Sequence, residues 1–386
     1  MKKKVLSALL VTAMVATFVM GCTGSSDSKK TDPVESTKTE ATEKAVETEK
    51  ATDVAEVTNG VEGDIVIGFA TGASGSSFRT ILENNFREVA DEYKAQGRLK
   101  DYKIVNNVTD WDASEQANIV RDLVNDSAIN VIMVNPNSPT DLNGVLKEAV
   151  DAGKKVIVLD CEVEVEGVTC VSIDHHAWSM KAAEYIAETL GEGNAVQIYG
   201  GEGHPANNDR IQGTYDVLEN YPDIKLVADT SGGWDQQVAK DVATQILGSG
   251  TTVDAIFTQD SMGAGILSAA IDLDKVPKVM FGECGTEYAK MAKQLLEDGK
   301  EFSFCTQPNP PGISATALHL AMNIAEGKEF KDGVLGGKQG RTYYYEVTKW
   351  FTQDAIEELW KLFENEADDY LLTEYLTQEQ AEALFQ

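Results

Sequence analysis

Residues 64–70 read DIVIGFA, and residues 77–94 read SFRTILENNFREVADEYK. The first stretch is a short apolar run that ends at Thr71-Gly72, which predicts a buried β-strand followed by a turn. In the second stretch, apolar residues such as Phe78, Leu82 and Phe86 recur at the spacing of a helix. A buried strand that leads directly into a helix is typical of a βαβ unit, in which the strands lie parallel under covering helices.

The same alternation of strand and helix continues along the chain in two series. The first series predicts further strands at 102–108, 131–134, 156–159 and 168–173. The second predicts strands at 195–199, 224–228, 255–258, 279–281 and 302–305, and a tail follows with a strand at 343–347 and helices at 353–364 and 378–384. We therefore expect an α/β protein with two lobes, each a doubly wound parallel sheet, because two sets of about five strands fit two domains better than one sheet of ten.

The first 63 residues predict export and membrane attachment. Met1–Lys4 is basic and Val5–Met20 is apolar, which is typical of a secretory signal. Val19-Met20-Gly21-Cys22 resembles the bacterial lipoprotein signal, which implies cleavage after residue 21 and lipidation of Cys22, with palmitate among the acyl chains. Residues 23–63 contain almost no aromatic or large aliphatic side chains, so we expect residues 22–63 to form a lipidated, disordered tether on the extracytoplasmic face of the cell membrane.

Charge and composition exclude several classes of protein. The chain has 33 Lys and Arg against 63 Asp and Glu, a net charge of −30, which argues against binding to nucleic acid. Beyond the signal there is no apolar run of about 18 residues, so a multispanning membrane protein is excluded. The five Cys are too few for a disulfide scaffold and lack zinc-site spacing, so we predict no metal or cofactor; the sequence leaves any pairing of Cys161, Cys170, Cys284 and Cys305 open.

Polar motifs follow the predicted strands, where two facing parallel sheets would place a ligand. They are residues 71–79 (TGASGSSFR), 135–137 (NPN), 159–161 (LDC), 209–213 (DRIQG), Trp234, 258–260 (TQD), 282–285 (GECG) and 306–308 (TQP). In this order the motifs resemble those of the type 1 periplasmic-binding-protein fold, within the ribose/galactose-type branch of sugar-binding proteins of ABC importers. The resemblance covers about residues 64–330.

The resemblance implies how the two lobes are built and joined. An N-terminal lobe would comprise residues 64–175 and 308–329, and a C-terminal lobe with the tail would comprise residues 176–307 and 330–386. Three chain crossings, near Asp174, Pro308 and Phe330, would form a hinge. We interpret His175-His176, which follows Asp174 directly, as the start of a helix and not as a metal site.

The resemblance also implies which side chains contact a ligand in the cleft. Sugar hydroxyls both donate and accept hydrogen bonds, which suits Arg210, Asp160 and Asp260, and the apolar face of a sugar suits an aromatic ring. Cys161 stands where the family usually has Arg, and Cys284 where it usually has Asp, so the pattern for ribose or galactose is altered. The predicted ligand-binding residues are Ser76, Ser77, Phe78, Asn135, Asp160, Cys161, His204, Arg210, Trp234, Asp260, Glu283, Cys284 and Gln307.

The sequence therefore predicts a monomeric, non-enzymatic solute-binding lipoprotein that binds a sugar or polyol and delivers it to an ABC permease. The alternative is a membrane-anchored sensor of a sugar-like signal, such as a furanosyl autoinducer, coupled to a histidine kinase; the sequence is compatible with both. No catalytic constellation, phosphate loop or metal motif supports an enzyme. A sugar-responsive repressor of the same fold would need a helix-turn-helix head, and the lipoprotein signal occupies that place.

Overall fold

The computed structural model describes residues 60–72, 76–106, 108 and 111–386. The predicted signal peptide, the lipidation site Cys22 and the tether up to residue 59 lie outside these residues. Among the helices within them, none is long and apolar enough to cross a membrane.

The first sheet is parallel throughout its described strands. Its strands are β1 (Val66–Ala70), β2 (Asp101–Val105), β3 (Val131–Val134), β4 (Lys155–Leu159), β5 (Val168–Ser172) and β11 (Thr342–Tyr344). They lie in the order β11-β5-β4-β3-β1-β2. The strand order reverses at β1, which has β2 on one side and β3 on the other: Val66 pairs with Asp101 of β2, and Ile67 pairs with Val131 of β3. Loops that follow strands at such a reversal open into a crevice where ligands bind.

The second sheet repeats this arrangement with an antiparallel edge. Its strands are β6 (Gly193–Tyr199), β7 (Ile224–Ser231), β8 (Ala255–Thr258), β9 (Val279–Glu283), β10 (Ser303–Gln307) and β12 (Phe351–Thr352). Their order is β12-β10-β9-β8-β6-β7, so the reversal falls between β6 and β8. Only β12, among the strands described in this sheet, is antiparallel to its neighbour.

Helices cover the two sheets. They are α1 (Ser77–Ala95), α2 (Ala113–Asn125), α3 (Asn143–Asp151), α4 (His175–Leu190), α5 (Pro205–Leu218), α6 (Gln236–Gly248), α7 (Gly263–Asp272), α8 (Thr286–Glu297), α9 (Ile313–Ala325), α10 (Ile356–Lys361) and α11 (Gln378–Glu382). Several begin directly after a side chain that accepts a hydrogen bond from the first turn, as Ser76, Asp112, Asp174 and Asp235 do. These caps fix where each loop ends and its helix begins.

The predicted fold class is confirmed: two sheets dominated by parallel strands are covered by helices. We call the first sheet with α1, α2, α3, α9 and α11 the first lobe, and the second sheet with α4–α8 and α10 the second lobe. The apolar runs that predicted the strands are buried, since Ile67 and Phe69 of DIVIGFA are inaccessible to solvent. The start of α4 at His175 also agrees with the sequence analysis.

The hinge differs from the predicted one at its third crossing. Crossings at Asp174, between β5 and α4, and at Pro308, between β10 and α9, lie where they were predicted. Phe330 is no crossing: it stays in the first lobe, where its ring stacks on Phe385 with centroids 4.1 Å apart. The prediction failed because an apolar residue after α9 pairs with another one 55 positions further along the chain, which no local pattern reveals.

The tail provides the third crossing and also a fourth within the described residues. Residues 345–350 run from β11 in the first sheet to β12 in the second. Residues 372–376 return to the first lobe, since the amide of Leu372 donates to Cys284 of the second lobe (2.8 Å) and the amide of Leu376 donates to Thr316 of α9 (3.1 Å). The tail, which the sequence analysis placed wholly in the second lobe, is therefore divided between both.

The first described residues are attached to the first lobe. The amide of Val61 donates to the carbonyl of Ala325 at the end of α9 (2.9 Å), and the side chain of Val61 packs on the core of that lobe. Contact with the folded part thus begins slightly before residue 64, the boundary expected from the sequence.

The contact between Phe330 and Phe385 predicts that the tail contributes to stability. We expect Phe385→Ala to lower the free energy of unfolding by about 3 kcal/mol, because it removes a buried ring from the core beneath α9. Urea denaturation would measure the change. Leu362→Ala, at an exposed tail position, is the control and should cost less than about 1 kcal/mol; equal losses in the two variants would contradict a structural role for the tail end.

Candidate functional site

Polar side chains from both lobes converge where the strands end. They surround a cavity of about 50 Å³, which we call the inner compartment. Seven of the predicted ligand-binding residues line it: Ser76, Phe78, Asp160, His204, Arg210, Trp234 and Asp260. Arg79, Trp111, Ser261 and Asn309 also line it and were not predicted as ligand-binding residues.

Arg210 supplies a buried positive charge from α5. Only 2% of the residue is exposed, and its guanidinium forms an ion pair with Asp260, which follows β8. The guanidinium carbon lies 4.5 Å from the ring centre of Trp178 on α4, a cation–π contact. A buried guanidinium needs such partners because its desolvation is costly.

His175 connects Arg210 to the first lobe. Nε of Arg210 donates to Nδ1 of His175 (3.2 Å), so Nδ1 accepts and the ring proton must lie on Nε2. From there it can donate to the backbone carbonyl of Asp160 (3.1 Å). Burial lowers the pKa of His175 well below its usual value, and the charge of Arg210 adds to that effect, so the ring is neutral.

Arg79 is the second buried guanidinium of the site and comes from the first turn of α1. Burial lowers its pKa to about 10, against the opposing effect of the Asp160 carboxylate. Its Nη1 is buried and has no hydrogen-bond partner among the described residues. Gly72 makes room for the side chain, because a Cβ at that position would come within 2.8 Å of Nη2.

Asp160 is near enough to both guanidinium groups for their charges to act on its carboxyl. Its pKa is raised to about 6, because burial outweighs the favourable charges of Arg210 and Arg79. Its Oδ1 is buried without a hydrogen-bond partner in the described part of the chain. Oδ1 of Asn309 is likewise buried without a hydrogen-bond partner in that part of the chain, whereas Nδ2 of the same side chain donates to Asp260 (3.1 Å).

Two tryptophans meet across the cleft at one side of the inner compartment. The ring centres of Trp111, from the first lobe, and Trp234, from the second, are 5.9 Å apart. Gly200 allows the second ring to approach, because a Cβ there would lie 2.1 Å from it. Trp234 also donates from its indole nitrogen to Gln259 (2.8 Å), which holds the ring in place.

Backbone strain is concentrated at this site. Five described residues other than glycine have a φ in the left-handed region, and four of them line the inner compartment: Trp111, Asp160, Trp234 and Ser261. Side chains other than glycine rarely adopt this conformation, and such residues cluster where function requires a particular orientation. The strain therefore marks the inner compartment as the functional part of the cleft.

His204 closes the compartment between the lobes. Its Nδ1 accepts from the amide of Ala206 (3.2 Å) and so caps α5. Burial and the charge of Arg79 lower its pKa to about 4, although a hydrogen bond to the backbone of Pro136 in the first lobe acts in the opposite direction. His204 is therefore neutral at neutral pH.

The remaining predicted residues lie outside the inner compartment. Ser77 and Glu283 line a neighbouring cavity of about 480 Å³, and Cys161 lines a third cavity of about 250 Å³. Asn135 and Gln307 instead donate to backbone carbonyls within the core, and Cys284 packs in the apolar core of the second lobe. The amide side chains that follow strands thus hold neighbouring loops together.

The residues that the sequence analysis missed had partial signals. Arg79 ends the quoted motif TGASGSSFR, and Asn309 follows directly after the motif TQP. Trp111 follows β2 by six residues, so its loop ends at the same sheet edge as the predicted motifs.

The arrangement provides charged and amide groups for hydrogen bonding beside aromatic faces. Two guanidinium groups, two carboxylates and an amide surround the compartment, and they can pair with groups that both donate and accept hydrogen bonds. Among the described residues, no group of three His, Cys, Asp or Glu side chains is placed to hold a metal ion.

The chain resembles known proteins in sequence and in fold. A family model described as a periplasmic binding protein domain matches residues 67–329. The D-allose-binding periplasmic protein of Escherichia coli (strain K12) is 28% identical over 246 residues, covering 61% of this chain and 77% of the relative. The D-apiose import binding protein of Actinobacillus succinogenes is 25% identical over 245 residues, covering 62% and 74%.

A solved structure shares the fold. The ABC transporter solute binding protein from Thermobispora bispora aligns with a TM-score of 0.71 and 22% identity, over 83% of this chain and 94% of the other. The tail beyond residue 329 lies outside the matched family model.

The raised pKa of Asp160 predicts a pH-dependent cost to stability. The pKa of Asp160 is about 6 in the folded protein and about 3.8 in the unfolded chain, so the folded state binds more protons between these pH values. The contribution of Asp160 to stability therefore falls as the pH rises through this window. We expect Asp160→Asn to raise the free energy of unfolding by about 3 kcal/mol at pH 7.5 and by much less at pH 4. Denaturation across this range would test it, with the exposed Asp332→Asn as control. A constant difference between Asp160→Asn and wild type would contradict the assignment.

Proposed function

The chain belongs to the periplasmic binding protein family, and from this membership we propose that it is an extracytoplasmic solute-binding protein of an ABC importer. It binds a sugar or polyol in the cleft between the two lobes, with hydroxyl groups of the ligand in the inner compartment, and delivers it to a permease in the membrane. It performs no chemistry on its ligand and acts as a monomer held to the membrane by lipidated Cys22.

The observation that carries this proposal is the set of unsatisfied polar atoms in the inner compartment. Nη1 of Arg79, Oδ1 of Asp160 and Oδ1 of Asn309 are buried without hydrogen-bond partners among the described residues, and they come from three separate segments. Leaving such an atom unpaired costs about 1–3 kcal/mol. A polyhydroxyl ligand can satisfy all three, because each hydroxyl both donates and accepts.

The aromatic rings support a sugar in particular. Trp111, Trp234 and Phe78 line the same compartment as the charged groups. A sugar ring has polar edges and apolar C–H faces, so it can pair with the charges while its faces contact the aromatic rings. The named relatives are a D-allose-binding and a D-apiose-binding protein, which agrees with this class of ligand.

Contacts between the lobes support binding by closure. Besides the contact between Trp111 and Trp234, Lys338 in the loop before β11 forms an ion pair with Asp209 of the second lobe (3.2 Å). These contacts join surfaces that must separate when the hinge opens. Closing over the ligand excludes water from the charged groups, which strengthens their hydrogen bonds to it.

Arg79 allows a direct test of the ligand class. Thermal-shift and calorimetric titration with pentoses, hexoses and polyols, beginning with D-allose and D-apiose, should identify a ligand; at 100 Kd it would add about 2.7 kcal/mol to stability. Arg79→Met should lower the affinity for that ligand by at least about 30-fold, which corresponds to about 2 kcal/mol of binding free energy. It should not destabilise the fold, because burial already disfavours the charge at this position.

Arg87→Met is the matched control, since Arg87 lies two turns further along α1 and pairs with Glu83 near the surface. It should leave affinity unchanged. The proposal would be wrong if no neutral sugar or polyol bound, or if both variants bound equally well.

The membrane anchor is a separate prediction. Cys22→Ala should release the protein into the soluble fraction while sugar binding remains unchanged, because the predicted tether separates the anchor from the lobes. Cell fractionation and metabolic labelling with palmitate would measure this. Retention of Cys22→Ala in the membrane fraction would rule out lipid anchoring at this residue.

A further inference from the structure

The inner compartment adjoins a much larger cavity of about 480 Å³, which we call the outer compartment. The two share four lining residues: Ser76, Trp111, Trp234 and Ser261. The paired tryptophans therefore stand at the junction between the compartments.

The two volumes differ in what they can hold. The inner compartment, at about 50 Å³, has room for only about four water molecules, because one water needs about 10–15 Å³ of cavity volume. The outer compartment alone falls within the range of about 300–1,000 Å³ that is usual for small-molecule sites. The combined cleft thus has more space than a single small ring requires.

One wall of the outer compartment comes from the tail, at residues 368–371. This wall is fixed to the second lobe: the amides of Thr286 and Glu287 at the start of α8 donate to the carbonyls of Tyr370 (3.0 Å) and Asp368 (3.2 Å). The wall lies beyond the end of the matched family model, which stops at residue 329. Because it satisfies the first amides of α8, the wall is part of the folded structure.

The lining of the outer compartment accepts hydrogen bonds and carries negative charge. Among its described lining residues there is no Lys or Arg, and five carboxyl side chains are present: Asp235, Glu283, Glu287, Asp368 and Asp369. Gln236 and Gln237 add amide groups. This lining suits a neutral group with many hydroxyl donors and repels an acidic one.

We propose that the ligand is larger than a monosaccharide: a neutral disaccharide or short glycoside whose first sugar binds at the tryptophan pair, with its hydroxyl groups in the inner compartment, and whose second sugar residue occupies the outer compartment. This inference rests on the proposed function and specifies its substrate class. The first sugar lies against the tryptophan pair, and residues 368–371 cover the second sugar. The carboxylates exclude ligands that carry an acidic second unit.

Pairs of sugars test the substrate class directly. Calorimetry would compare D-glucose with maltose and cellobiose, D-galactose with lactose and melibiose, and D-xylose with xylobiose. We expect at least one disaccharide to bind at least tenfold more tightly than either of its component monosaccharides. If monosaccharides bind and no disaccharide binds more tightly than its components, the inference is overturned while the proposed function stands.

Neighbouring positions on α6 provide a matched pair of variants. Gln237 lines the outer compartment, whereas Val238 beside it is exposed and does not. Gln237→Trp would fill part of the outer compartment and should lower the affinity for the disaccharide at least tenfold. The affinity for the monosaccharide should change less than twofold. Val238→Trp should leave both within twofold.

The outcomes separate this inference from the function on which it rests. Equal weakening of monosaccharide and disaccharide by Gln237→Trp would overturn the two-compartment assignment, because it would mean that the two spaces act as one. Binding of no neutral sugar by the wild-type protein would overturn the proposed function and this inference together.

Discussion

The burial of Arg210 is the constraint around which the site is organised. A guanidinium stays charged at any physiological pH, so a position inside the protein is tolerated only with partners that compensate for lost water. Asp260 and Trp178 provide that compensation from the end of β8 and from α4. His175 extends the contact to the carbonyl of Asp160 in the other lobe. One buried charge thereby ties together three segments of the second lobe and links them to the first.

The site carries a stability cost that its architecture offsets elsewhere. Four strained backbone positions and several unpaired buried atoms surround the inner compartment, whereas the central strands beside it, such as β3 and β8, are buried at every residue. Parallel strands deliver their loops to one edge, so the strained residues gather at the cleft and leave the cores regular. A rigid scaffold with a locally unfavourable site is what binding a polar ligand from water requires.

Local sequence patterns predicted the parts of the protein that depend on local forces. Apolar runs indicated the strands, and the polar residues Asp160 and Asp260, which follow strands, line the inner compartment together with Arg210 of α5. Their role in binding stays a prediction. Asn135 has the same pattern, yet its side chain donates to a core carbonyl, because an amide after a strand can serve either purpose. The pairing of Phe330 with Phe385 had no local signal at all, and with it the course of the tail could not be predicted.

Both ends of the described folded region, near residues 61 and 386, meet at the C-terminal end of α9. The amide of Val61 donates to Ala325, and the amide of Gln386 donates to Glu329 (2.9 Å). A mechanical load applied between these two points would pass through the first lobe alone. The second lobe contains neither end and would bear no force. Tension on the chain would therefore neither open the cleft nor keep it closed.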